Sequence, residues 1–171
     1  HRTGDRPREG RKLRCEVWGV KCELCLTLHL TLHPSHLMKK DIVLPKVEGV
    51  SMAVVREADE DGEQAWYVYL INAKDVPLEN VLISSTGYGE IDGEHRATSE
   101  MRHYLESLGA KSWARIERMM EDVFALSNQF WLSFYIDGRI HDKKYIFVAG
   151  SIHEEHFTNV PLMDKRGVLI Q

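Results

Sequence analysis

Apolar and polar side chains alternate one for one through several stretches of this chain, and turn-forming pairs separate the stretches. Trp66, Val68 and Leu70 fall on one side of an extended segment, and Tyr67, Tyr69 and Ile71 on the other. Farther on, Phe130, Leu132, Phe134 and Ile136 form a wholly apolar row, with Trp131, Ser133 and Tyr135 on the opposite side. A period of two is the mark of a pleated strand with one face toward a core. The same alternation predicts strands over Leu78–Ser84, with Val81 and Ile83 on one side, and over Ser112–Met119, with Ala114 and Ile116 inward and Arg115 and Glu117 outward. Met52–Val55 and Tyr145–Val148 are shorter runs of the same aromatic and β-branched type, the residues that fit a half-buried pleated surface.

Three Asp-Gly pairs punctuate these runs: Asp61-Gly62, Asp92-Gly93 and Asp137-Gly138. Such pairs accept the positive φ of tight hairpin turns, and the first and third have strands on both sides. Gly87-Tyr88-Gly89 lacks the G-x-G-x-x-G pattern of a phosphate loop, so its glycines are expected to bend the chain out of a strand ending near Ser85. One segment supports two readings. Met101, Tyr104, Leu105 and Leu108 follow the i, i+3, i+4, i+7 spacing of a short helix, with Ser99 as N-cap and Gly109 after its end. Its strand-rich neighbourhood favours a strand instead, which would bring the count to about seven.

Short strands, frequent turns and no repeated helix point to a mainly β fold, two antiparallel sheets packed face to face as an immunoglobulin-like sandwich. The hairpin from Leu70-Ile71-Asn72 to Leu78-Glu79-Asn80-Val81, and the turn Ala110-Lys111-Ser112 before Trp113, follow that order. The disulfide and central tryptophan of antibody domains are absent, so the expectation concerns architecture alone.

Charge and cysteine usage divide the chain. Residues 1–37 carry seven basic and four acidic side chains, whereas 38–171 carry fifteen basic and twenty-two acidic ones, a net of −7. A domain with that field repels phosphate backbones, which argues against a nucleic-acid partner. Cys15, Cys22 and Cys25 all precede Met38, and a cysteine-free domain suits a reducing compartment. No apolar run is long enough to span a bilayer, and Leu24–Leu32 is apolar only at alternate positions, unlike a secretory signal. The expected location is cytoplasmic. The chain opens on His1, and Met38-Lys39-Lys40-Asp41-Ile42 reads as a natural start. Residues 1–37 are therefore expected to be a disordered or non-native upstream extension, and 38–171 a single domain. Cys22, Cys25, His29 and His33 carry the ligand types of a zinc site, but in an extended strand Cys22 would point away from the other three.

Few residues suggest chemistry. His153-Glu154-Glu155-His156, with His141 and Asp142 nearby in sequence, offers ligands for a metal-dependent hydrolase, while a polar quartet after a strand also reads as an exposed turn. There is no G-x-S-x-G elbow and no cysteine nucleophile in the domain, and no cofactor is expected. Trp66, Phe130 and Phe134 are assigned to the core. Trp131, Tyr135, Tyr67 and Tyr69 lie on the opposite strand faces and are candidates for an aromatic binding patch. The alternative for Tyr67 and Tyr69 is burial beneath a terminal segment.

Met38-Lys39-Lys40-Asp41-Ile42, Pro77-Leu78-Glu79-Asn80-Val81, Gly87-Tyr88-Gly89, Phe130–Tyr135 and Asp142–Phe147 resemble a family of small, uncharacterised bacterial proteins, over essentially 38–171. Some members are labelled phenylalanyl-tRNA synthetase alpha subunit. The resemblance supports the boundary at Met38 and implies no catalytic residue, since a class II catalytic subunit needs a larger sheet with ATP-binding arginines. The leading expectation is a non-enzymatic module that binds a protein partner. A metal-dependent hydrolase and an accessory factor of an aminoacyl-tRNA synthetase are the alternatives, and a free edge strand offers a route to a homo-oligomer.

Overall fold

The computed structural model describes residues 46–171. The Cys22, Cys25, His29 and His33 quartet, the upstream extension and the boundary at Met38 lie outside them. Among the described residues the chain forms ten strands: β1 (Val50–Ala58), β2 (Gln64–Asn72), β3 (Leu78–Ile91), β4 (Glu94–Ala97), β5 (Met101–Leu108), β6 (Ser112–Met119), β7 (Ser127–Ile136), β8 (Arg139–Phe147), β9 (Thr158–Asn159) and β10 (Arg166–Ile170). The described helical segments are 3-10 turns at Glu121–Ala125 and Glu154–His156. No helix among the described residues is long and apolar enough to cross a membrane.

The strands make two antiparallel sheets. One runs β6-β2-β1-β10-β9, and the other runs from β3 through β7 to β8. The far side of β3 is shared, with β5 pairing along Leu78–Ser85 and β4 along Tyr88–Ile91. Inward residues of the two sheets form one core, in which Met52, Leu70, Ile83, Phe130, Leu132 and Phe147 are fully buried. Tyr145 adds its ring to this core and donates its hydroxyl proton to the Val50 carbonyl at 2.7 Å, so its polar end is satisfied where water is absent. Met101–Leu108 is a strand, because pairing with β3 gives its backbone partners that an isolated eight-residue helix would lack.

All three Asp-Gly pairs sit in hairpins, by two routes. Asp92-Gly93 and Asp137-Gly138 have positive φ at both residues (54° and 79°, 49° and 71°), the two-residue turn that matches strand twist. In the β1–β2 hairpin only Gly62 is positive, and Asp59 Oδ1 accepts from the amides of Asp61 and Glu63 at 3.0 and 2.9 Å. That loop is longer because a side chain, rather than the ladder, satisfies its amides.

Several expectations need correction. β3 does not bend away near Ser85; it continues through Gly87 and Gly89 to Ile91. The two glycines make room instead: a Cβ on Gly87 would lie 3.0 Å from Thr98 Cγ2, and one on Gly89 3.2 Å from Leu126 Cδ2. β4, with four exposed residues, and the C-terminal strands β9 and β10 had no alternation to announce them. Glu117 does not face outward. The β2–β6 register shifts between Val68 and Tyr69, where Tyr69 pairs with Arg115 but Val68 with Glu117. This bulge skips Ile116 and turns Glu117 to the inner side.

Candidate functional site

The outer face of the β3-β5-β7-β8 sheet is built in rows that the register defines. Across one row stand Arg102, Ser84, Trp131 and Lys144; across the next stand Tyr104, Leu82, Ser133 and Asp142; Tyr135 and Ile140 follow. Trp131 is 44% exposed and Tyr135 37%, and Leu82, Tyr104 and Ile140 are exposed beside them. Lys144 Nζ lies 5.0 Å from the centre of the Trp131 ring, a cation–π contact between cross-strand neighbours. The Tyr104 hydroxyl donates to Asn80 Oδ1 at 2.9 Å. Ser133 donates to Asp142 across the strand pair. The result is a centre of exposed apolar side chains within mixed charge.

Tyr67 and Tyr69 do not belong to this patch. They lie on the other sheet, and they are buried, at 8% and 2% exposure. Ala53, Val55, Ile71 and Val160 surround them in a second apolar cluster, against which Met163 and Leu169 pack. The cause is the C-terminal segment, which lays Val160 over the outer side of this sheet. Polar contacts seal the cover: Tyr69 donates its hydroxyl proton to Glu57, Lys165 donates to the same carboxylate, and the Arg115 guanidinium sits 4.8 Å from the centre of the Tyr67 ring. Burial pushes the Tyr69 hydroxyl well above the usual tyrosine range, and its bond to Glu57 adds to the rise. For Glu57 burial acts upward, but the bonds from Lys165 and Tyr69 outweigh it and hold the carboxyl below its ordinary range.

The histidines proposed as metal ligands are dispersed in role. The His141 ring stacks on Phe134 with centroids 5.3 Å apart, whereas Asp142 faces the opposite side of β8, toward Ser133. His153 caps the 3-10 turn by accepting from the Glu155 amide, and His156 Nδ1 lies 2.9 Å from the Ser151 carbonyl. No group of three or more His, Cys, Asp or Glu residues among the described residues is placed to hold a metal ion.

A concave site that the sequence did not announce is lined by residues of β3, β5, β6 and β7 and of the 3-10 turn at Glu121–Ala125. Glu117 Oε2 accepts from Ser85 Oγ at 3.0 Å, and lies 2.6 Å from His103 Nε2. The Glu117 side chain is only 8% exposed. It borders a cavity of about 230 Å3 whose walls include Met101, Met119, Val123 and Phe130, with Thr98 and Asn128 beside them. Ser85 and His103 take inward positions by simple alternation, Ile83 opposite His103 and Ser85 opposite Met101. Glu117 arrives only through the bulge, and no residue type in β6 marks where a bulge will form. Compared with known proteins, the chain matches no family model and no curated protein.

Proposed function

We propose that this chain is a protein-interaction module that binds through the outer face of its β3-β5-β7-β8 sheet. The observation that carries the reading is the exposed cluster of Trp131, Tyr135, Tyr104, Leu82 and Ile140 on one sheet face. Small molecules are taken in concavities, whereas an exposed aromatic centre with a charged rim suits another protein. The occupant is a protein presenting an apolar patch of its own, ringed by charges that can meet Arg102, Asp142 and Lys144. An immunoglobulin-like arrangement belongs to the same proposal. The order β6-β2-β1 in one sheet, with β3-β7-β8 in the other, supports it, since such domains place their first, second, fourth and fifth strands against their third, sixth and seventh; β5, paired with β3, departs from that order.

The test uses the tagged full chain, recovered from its own cells, beside a Trp131→Ala/Tyr104→Ala variant of equal thermal stability. A stoichiometric protein that copurifies with the parent, and binds the variant with Kd weakened about thirtyfold or more, is the expected result; aromatic hot spots contribute about 2 kcal/mol or more each. Unchanged binding by the variant would overturn the surface. Light scattering gives the other arm: a dimer dissociated by the same substitutions would replace the foreign partner with a second copy of this chain.

A further inference from the structure

We propose that the cavity lined by β3, β5, β6 and β7 is a binding site for a small primary amine with an apolar body, received by the buried carboxylate of Glu117. The inference does not depend on the outer face.

Glu117 has two oxygens, and the protein uses one. Oε2 takes both the Ser85 hydroxyl and His103 Nε2. Oε1 has no hydrogen-bond partner among the described residues, yet it is not among their sealed, unpartnered atoms, a state found only at Ser151 Oγ. A carboxylate more than nine-tenths buried therefore keeps one oxygen open to accessible space.

The polar groups around the cavity set the sign of the ligand. Ser85 spends its proton on Glu117. Thr98 Oγ1 donates to the Ser99 carbonyl while accepting from the Gly87 amide. Both hydrogens of the Asn128 amide go to the carbonyls of Val123 and Leu126, at 2.9 and 3.0 Å. The donors of Ser85, Thr98 and Asn128 are committed and the Glu117 acceptor is open, so a polar end that reaches Glu117 must donate; Arg118, which also lines the cavity, is turned toward Asp59 at 3.5 Å. A carboxylate bonds most strongly to a charged donor, which favours an ammonium over a hydroxyl or an acid at Glu117.

The walls set the rest. Met101, Met119, Val123 and Phe130 offer aliphatic and aromatic surface, and methionines adapt to ligands of differing shape. About 230 Å3 lies below the roughly 300–1,000 Å3 of sites for drug-sized molecules, so the body is a short alkyl chain or a single ring. Met101, half-exposed on the edge strand, stands at the mouth.

The experiment is an amide-resolved NMR titration of the full chain with benzylamine, benzyl alcohol and benzoate as probes. The expected result is saturable shifts for benzylamine confined to Ser85, Thr98, Met101, Glu117 and Met119, with Kd at least tenfold tighter than for the other two. Glu117→Gln, which keeps the shape and removes the charge, is expected to weaken benzylamine at least tenfold and leave benzyl alcohol within about twofold. Should Glu117→Gln fail to fold, Met101→Trp at the exposed mouth replaces it and is expected to block all binding in the cavity. No saturable shift with benzylamine, equal affinity for benzoate, or shifts that persist unchanged in Met101→Trp would overturn the proposal.

Discussion

Single buried polar groups fix this fold at points where the strands end. Asn72, fully buried at the end of β2, donates to the carbonyls of Val76 and Gly109 at 2.9 and 2.7 Å, and its Oδ1 accepts from the Lys74 amide. One side chain thus ties the β2–β3 loop to the β5–β6 turn. Asn72→Ala is expected to lower unfolding free energy by about 2–3 kcal/mol, because it removes the hydrogen bonds by which one buried side chain joins the two turns; urea denaturation with an unchanged slope would show it. Tyr145 acts at alkaline pH. Burial raises its hydroxyl above the ordinary value of 10.0, so the fold favours the protonated form. That contribution is complete below pH 10 and declines as pH rises past it toward the folded value. Tyr145→Phe should cost about 1 kcal/mol at neutral pH and show a shallower alkaline loss in melts between pH 8 and 11. Glu57 acts at the acid end. Its carboxyl is held below the ordinary 4.5, so its contribution is full above that value and disappears as pH falls toward the folded value. Glu57→Gln should therefore flatten part of the acid melting curve.

At the level of elements, alternation made the inner strands readable and bulges made the rest illegible. Trp66, Phe130 and Phe134 sit in the core as their period of two requires. The outward position of Leu82 follows from inward Val81 and Ile83, so the face that holds Trp131 was within reach of the pattern. Two irregularities broke it. Asn80, with φ of 48°, marks the shift in the β3–β7 register, and the shift opposite Val68 reversed the parity of Glu117. A bulge is stabilised by what surrounds it, here Ser85 and His103, and those neighbours come from strands more than ten residues away. Glycines in strands were likewise ambiguous between bending and close approach. The structure separates two cases that substitution can compare. A Cβ on Gly167 would fall 2.5 Å from the Val54 carbonyl oxygen, which is backbone, whereas one on Gly89 meets the end of the Leu126 side chain. Gly167→Ala is expected to destabilise by about 1–3 kcal/mol through forced separation of β10 from β1. Gly89→Ala should cost clearly less, and thermal melts of the two variants side by side check the ranking.

For the molecule as a whole, the two sheets are finished differently. Among the described residues, none packs over the outer face of the β3-β5-β7-β8 sheet, while Val160 and Met163 cover the outer face of the other. The covered face explains why Tyr67 and Tyr69, indistinguishable in sequence from Trp131 and Tyr135, have the opposite fate: the difference lies in residues a hundred positions downstream. Edge protection also differs by strand. β8 carries Arg139, His141, Asp142, Lys143 and Lys144 along its length, and Lys143 turns inward to donate to the Val47 carbonyl at 3.1 Å. Charges of this kind discourage a further strand from adding to the edge. Lys143→Val together with Lys144→Val should raise the tendency to aggregate, measured as turbidity on holding just below the melting temperature.

The pairing of β1 with β10, Met52 opposite Ile170, sets an order on synthesis. β1 and β2 are made before the other described strands and can form their hairpin at once, but among the described residues the other edge of β1 pairs only with β10, which ends at Ile170. A nascent chain stalled before Thr158 would expose that edge beside two uncovered tyrosines, and pairing over such a separation is intrinsically slow. Residues 158–170 thus close the edge of β1 that its hairpin with β2 leaves unpaired.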